Sequence, residues 1–182
     1  MSQRERKRIP YHGLKLLPLK DETAFTKNKC SERARKIKSI TPNLVFDVWF
    51  DQHYQIRQQF GDDNGLREGI DSEKVESLVL RSMKYLIAYS SILKSFNFIN
   101  HTLDGGSRAN RVILQESTAG ELLNVVIEAH LIEIDKYEIT VKTAMCSNSF
   151  KLSDGQFAME VIDNESILKR MERGQVREVY TL

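Results

Sequence analysis

The sequence predicts an α+β fold: two N-terminal helices, the second of them long, packed on one face of an antiparallel sheet of four to five strands. Three observations predict it. Residues 122–146 read LLNVVIEAHLIEIDKYEITVKTAMC. Leu123, Val125, Ile127, Ala129 and Leu131 form one face of the first run, and Tyr137, Ile139, Val141, Thr143 and Met145 form the matching face of the second. Period-two alternation rich in Val, Ile and Thr marks half-buried strands. Little more than Glu133-Ile134-Asp135-Lys136 separates the runs, so they fold back as an antiparallel hairpin. After Asp71 and Ser72, either of which can cap, Val75, Leu78, Val79, Ser82, Leu86, Tyr89, Leu93 and Phe96 recur at three- and four-residue steps. That is an amphipathic helix, and its stripe is the cover for the hairpin's apolar face. Helical patterns precede strand patterns along the chain, and such segregation argues α+β.

Taken in order, residues 1–40 read as a basic arm, and residues 41–182 as a single α+β domain. The arm holds Pro10 and Pro18 without sustained periodicity, a short strand candidate at 14–17, and at 32–39 (ERARKIKS) a surface turn of helix. The first helix of the domain follows Thr41-Pro42-Asn43, where Thr41 or Asn43 can cap and Pro42 is tolerated. Its stripe is Val45, Trp49, His53, Ile56 and Phe60, and Gly61-Asp62-Asp63-Asn64-Gly65 ends it. That acidic loop lacks the alternating ligands and closing Glu of a calcium-binding hand. Beyond the long helix, the loop Gly105-Gly106-Ser107-Arg108 lacks the following Lys-Ser/Thr of a phosphate-binding P-loop. Residues 111–116 (RVILQE) form a strand, and Ser117-Thr118-Ala119-Gly120 turns it into the hairpin. Ser153-Asp154-Gly155 marks a turn before a further strand at 156–162 (QFAMEVI). Asp163-Asn164-Glu165-Ser166 caps a short helix over 167–173 that Gly174 closes, and Val176, Val179 and Leu182 suggest a final edge strand.

Composition narrows the function classes. Hydrophobic residues make up 41% and charged residues 29% of the 182, ordinary for a soluble globular chain. No run approaches the roughly 18 apolar residues of a membrane span, and the basic start has no apolar core of a secretory signal. Cys30 and Cys146 lie far apart and match no metal or redox spacing. Two free thiols in a cytoplasmic setting are expected, with one disulfide as the lesser alternative. No two histidines stand four apart and Cys30 has no neighbouring ligand, so neither metal nor other cofactor is expected. The net charge of +2 hides an asymmetry: residues 1–39 hold 12 Lys/Arg against 4 Asp/Glu, leaving 15 against 21 for the rest. A basic segment on an acidic body either packs on that body or binds phosphate, in RNA or another nucleic acid or at an acidic membrane surface. Arg4, Arg6, Lys7, Arg8, Arg33, Arg35, Lys36 and Arg108 are the candidate nucleic-acid contacts.

The polar side of the hairpin carries the chemistry: Asn124, Glu128, His130, Glu138, Thr140 and Lys142. If Leu131 opposes Ile139, Glu128 faces Lys142, His130 faces Thr140, and Asn124 lies near Cys146. Directly opposed side chains have Cβ atoms about 5 Å apart, so an acid, an imidazole and an ammonium share one patch. Those are the types required for general acid–base work and for stabilising developing negative charge. Arg111, on the preceding strand, adds a guanidinium. The plain alternative is an exposed cross-strand ion pair worth under about 1 kcal/mol, with a solvent-facing histidine beside it. His53, on the Trp49 stripe, reads better as packed; His101 and His12 carry less still.

Gly120-Glu121-Leu122-Leu123-Asn124-Val125-Val126-Ile127 followed by Ile139-Thr140-Val141-Lys142-Thr143-Ala144 resembles the strand pair of ribonucleases of the barnase–EndoU–colicin–RelE superfold. The likeness covers about residues 71–162, and the aromatic-Pro that usually follows Thr-Ala is replaced by Met145-Cys146. It implies a helix preceding a four-stranded antiparallel sheet, metal-independent RNA cleavage by a toxin-like protein, and roles for His130, Lys142 and Thr143. The leading functional expectation is therefore a small RNA-directed protein, a metal-independent ribonuclease. In it Glu128 or His130 removes the 2′-hydroxyl proton while Lys142 and Arg111 stabilise the transition state. The rival is a non-catalytic interaction protein, such as a regulator, immunity-type protein or adaptor, that binds a protein partner through the sheet edge or the long helix. Oligomeric state is not legible.

Overall fold

The computed structural model describes residues 25–40, 45–60, 70–101, 109–118 and 120–182. Arg4, Arg6, Lys7, Arg8, Arg108, the strand expected at 14–17, the cap at Thr41-Pro42-Asn43 and the loops at 61–65 and 105–108 lie outside the described residues.

The chain alternates in strands far more than its helical stripes suggest. The order is β1 (Ala34–Ile40), β2 (Val45–Asp51), α1 (Gln52–Phe60), α2 (Ser72–Ile92), β3 (Ile99–Asn100), β4 (Arg111–Thr118), β5 (Glu121–Glu133), β6 (Lys136–Cys146), β7 (Phe157–Ile162), β8 (Glu165–Glu172) and β9 (Gln175–Thr181). The nine strands form one mixed sheet in the order β1-β2-β6-β5-β4-β7-β8-β9, with β3 beside β5. Three pairings are parallel, β2 with β6, β3 with β5 and β4 with β7. The expected α+β arrangement of two N-terminal helices on four to five antiparallel strands is thus corrected to a mostly sheet fold whose described helices are one short and one long.

Three segments account for the difference. The stretch VFDVWFD, expected as the first half of a helix, is β2. As a strand it buries Phe46, Val48 and Phe50 on one side and turns Asp47 and Asp51 to the other, where each finds a lysine, Lys36 or Lys142. A helix would instead stack those like charges one turn apart on a single face. Residues 32–39, expected as a helical turn, contribute most of β1. Of residues 167–173, expected as a helix, 167–172 belong to β8 and Arg173 to the turn after it, and the Asp163-Asn164 pair is a hairpin turn with Asp163 at φ 52° rather than a cap. The Ser166 hydroxyl goes to the Tyr89 phenol instead of to a helix N-terminus.

The long helix matches its sequence signal more closely. Asp71 caps it, accepting from the Glu73 N–H at 2.9 Å, and Leu93 in extended conformation ends it one turn before Phe96. Val75, Leu78, Val79, Met83, Leu86 and Tyr89 lie in one core with Phe46, Val48 and Phe50 of β2, Ile139 and Val141 of β6, Val125 and Ile127 of β5, Leu114 of β4 and Met159 of β7. The sheet's other side is covered too. The crossover at 147–156 lays Phe150 and Leu152 on Ile113, Val126 and Ala158, and residues 26–33 run across the Asp51, Glu128, Glu138 and Thr140 end as a strap.

Candidate functional site: a buried polar face beneath a strap

Register decides what the polar face brings together. Ala129 pairs with Ile139, two residues from the expected alignment, so Glu128 opposes Thr140 and His130 opposes Glu138. The pairing then slips between Val126 and Ile127, where Lys142 is the extra residue of β6. A bulge of this kind reverses the alternation beyond it. Ala144 therefore joins the core, while Thr143, expected on the apolar face, sits opposite Val126 on the polar one. Cys146 lies opposite Leu123, and Asn124 is held by Gln115 at 2.7 Å and by the Leu122 carbonyl at 2.8 Å.

Glu128, His130 and Arg111 do converge. Arg111 lies directly across from Glu128 and donates from Nε to Oε2 at 3.0 Å, while His130 Nε2 meets Oε1 at 3.0 Å. Glu128 and His130 are both buried. Lys142 does not join them. Its ammonium binds Asp51 Oδ2 at 2.6 Å and the Cys30 carbonyl at 3.3 Å, so the expected Glu128–Lys142 pair is replaced by a Lys142–Asp51 pair. Asp51 also caps α1, accepting from the His53 N–H at 2.9 Å.

The strap closes the face. Asn28 donates to Thr140 Oγ1 at 2.6 Å, the Lys29 N–H donates to Glu138 at 2.7 Å, and the Cys30 thiol points at the Glu128 carbonyl at 3.8 Å. Asn28 Oδ1 in turn accepts from the N–H groups of Cys30 and Ser31 at 3.0 and 2.8 Å. Of the arm's basic candidates that are described, Lys36 is paired with Asp47 at 2.6 Å, Arg35 is half-buried in β1, and Arg33 is exposed. Sequence reasoning missed Asn28, Cys30 and Asp51. Asp51 carried a usable signal, the alternation of VFDVWFD; Asn28 and Cys30 carried none, because a non-repetitive strap has no periodicity.

Electrostatics follow from the enclosure. Burial works to raise the Glu128 carboxyl, but hydrogen bonds from His130 and Arg111 outweigh it and bring the pKa down to about 2. Burial raises Asp51 less than Lys142 and the His53 N–H lower it, so it too falls below the usual carboxylate range. Burial raises Glu138 despite the Lys29 N–H. Burial, and next the Glu128 charge, push the Cys30 thiol far above its ordinary value. A carboxylate this acidic with both oxygens engaged is a weak base, and a protonated thiol is a poor nucleophile.

Among the described residues, no helix is long and apolar enough to cross a membrane. Comparison with protein-family models, curated proteins and solved structures finds no match.

A second feature lies at the far edge of the sheet. Among the described residues strand β9 pairs with β8 alone, and Val176 and Tyr180 are 52% and 42% exposed. Arg170 and Arg177 stand directly opposite each other across β8 and β9. With Arg173, Asp154 and Glu172 they line an open cleft of about 430 Å³. Arg170 stacks over Phe157 at 5.0 Å and reaches Glu172 at 3.3 Å, while its Nε is shielded from solvent without a hydrogen-bond partner among the described residues.

Proposed function

We propose that this chain is a non-catalytic interaction module whose open edge strand β9 takes up an extended, acidic segment of a protein partner. The observation that carries the reading is the Arg170–Arg177 pair. Like charges directly opposed across two strands destabilise a sheet, and here the pair sits at an edge that no other described strand pairs, beside a third arginine, Arg173, and an open cleft. An edge strand offers a row of free backbone donors and acceptors that an added strand completes, while side-chain pockets choose its sequence. A carboxylate-bearing segment would satisfy that backbone and relieve the arginines at once.

The polar face supports the same assignment from the other side. Its charges are paired and its access is occupied by residues 28–31, so phosphodiester chemistry by Glu128, His130, Lys142 and Arg111 would require the strap to leave. A fluorescein-labelled peptide of alternating threonine and glutamate should bind, more weakly as salt rises, while its threonine–lysine counterpart should not. The double variant Arg173→Glu/Arg177→Glu should bind the acidic peptide about tenfold or more weakly, since both residues are exposed rim charges. Equal binding of both peptides, or of parent and variant, overturns the reading. Under it the protein leaves total RNA intact with or without EDTA; cleavage that disappears in His130→Ala would establish the ribonuclease instead.

A further inference from the structure

We infer that Cys30, Glu128 and His130 form a binding site for a divalent cation of the zinc class, with the Cys30 sulfur, one Glu128 oxygen and His130 Nε2 as ligands. The three ligand atoms lie within 4.8 Å of one another. Tetrahedral zinc with bonds of about 2.0–2.3 Å sets such atoms about 3.3 to 3.6 Å apart, so contraction of the cluster by about an ångström seats the ion. One thiolate, one imidazole and one carboxylate make a mixed set that a borderline-soft cation accepts and that magnesium or calcium does not favour.

The surroundings hold each ligand as an outer layer of hydrogen bonds does around metal centres. Arg111 occupies Glu128 Oε2, while Oε1, which meets His130 Nε2 at 3.0 Å, turns to the cation once that nitrogen becomes a ligand. The Cys30 backbone is pinned at both ends, its N–H on Asn28 Oδ1 at 3.0 Å and its carbonyl on the Lys142 ammonium at 3.3 Å. Those contacts place a thiol from the strap beside two side chains of β5, 98 residues away in sequence.

Binding is balanced as follows. The ionised Glu128 accepts the His130 Nε2 proton in a hydrogen bond. On metal binding the imidazole carries its proton on Nδ1, and Nε2 donates its lone pair to the cation. The Cys30 thiol gives its proton to solvent as the metal–sulfur bond forms. Three protein ligands leave a fourth position for water. The ion would also tie the strap to the sheet.

The test uses the full chain, washed with chelator and titrated with Co²⁺ and Zn²⁺. One Co²⁺ per chain should bind with the visible spectrum of tetrahedral cobalt and a thiolate-to-metal charge-transfer band. Zn²⁺ should displace it, protect Cys30 from thiol reagents and raise the melting temperature. Cys30→Ser should abolish the charge-transfer band and weaken Zn²⁺ binding about 100-fold or more, and Cys146→Ser should change neither. His130→Gln should likewise lose binding; if it does not fold, Cys30→Ser and the protection of Cys30 in the parent decide. A spectrum without the thiolate band, octahedral cobalt, no stoichiometric binding, or affinity unchanged in Cys30→Ser overturns the proposal.

Discussion

Replacing Tyr89 with phenylalanine removes one oxygen from the contact that fastens α2 to the β8–β9 edge. That phenol is fully buried; it donates to the Ser166 carbonyl at 2.7 Å and meets the Ser166 hydroxyl at 2.8 Å. The carbonyl keeps a second donor, the Leu182 N–H at 2.9 Å, so its loss is partial. The Ser166 hydroxyl is left without a partner among the described residues. One net hydrogen bond is worth about 1 kcal/mol and an orphaned buried hydroxyl costs about 1 kcal/mol more, giving about 2 kcal/mol in all. For a chain of this size that is a fall of about 4–8 °C in melting temperature, read by calorimetry or urea denaturation. Ser166→Ala should cost a similar amount, and the double variant should fall short of the sum by about 1 kcal/mol, because both single changes break the same bond. A Tyr89→Phe protein within about 0.5 kcal/mol of the parent, or strict additivity in the cycle, would refute this account of how the helix is anchored. The same residue predicts a pH effect. Burial raises the Tyr89 phenol above its ordinary value, more than its hydrogen bonds lower it. A group whose folded pKa is raised contributes stability fully present below its unfolded pKa, near 10, and lost as pH rises through the folded value. Stability should therefore decline at alkaline pH, and less steeply in Tyr89→Phe.

Other substitutions probe other parts of the fold. Tyr54 is buried with no partner for its hydroxyl among the described residues, so Tyr54→Phe should leave stability unchanged or raise it by about 1 kcal/mol; a clear loss in a urea titration would mean that the hydroxyl is satisfied. Leu86 is fully buried in the core, and Leu86→Asp should cost several kcal/mol, about 4 or more, seen as loss of the cooperative melt. Lys142→Met strands the Asp51 carboxylate beneath the strap and should destabilise by about 3 kcal/mol; a variant that melts like the parent would show that Asp51 is solvated.

Several features were legible because they are written into neighbouring residues. The β5–β6 hairpin, the polarity of its two sides, the Asp71 cap and the apolar stripe of α2 depend on periodicity and capping, which act over a few positions. The β4 and β7 strands were read within a few residues of their bounds. The convergence of Arg111, Glu128 and His130 was half legible, since placing a residue on one face needs only parity, whereas the partner across the strand needs register. A two-residue change of alignment and the bulge at Lys142 moved that lysine from Glu128 to Asp51.

What the chain decides by itself, then, is which residues prefer to alternate and where a helix can begin. What only the tertiary structure decides is which of two periodicities wins where both fit, and what covers the polar face. VFDVWFD satisfies a helical stripe and a strand alternation alike; it becomes β2 because β6 offers a parallel ladder and because Lys36 and Lys142 neutralise its two aspartates. The Cys30, Glu128 and His130 cluster exists because a strap without periodicity folds over a sheet formed about a hundred residues later. Spacing along the chain cannot encode such proximity, since it arises only once backbone and side-chain donors of residues 28–31 find acceptors on the assembled sheet.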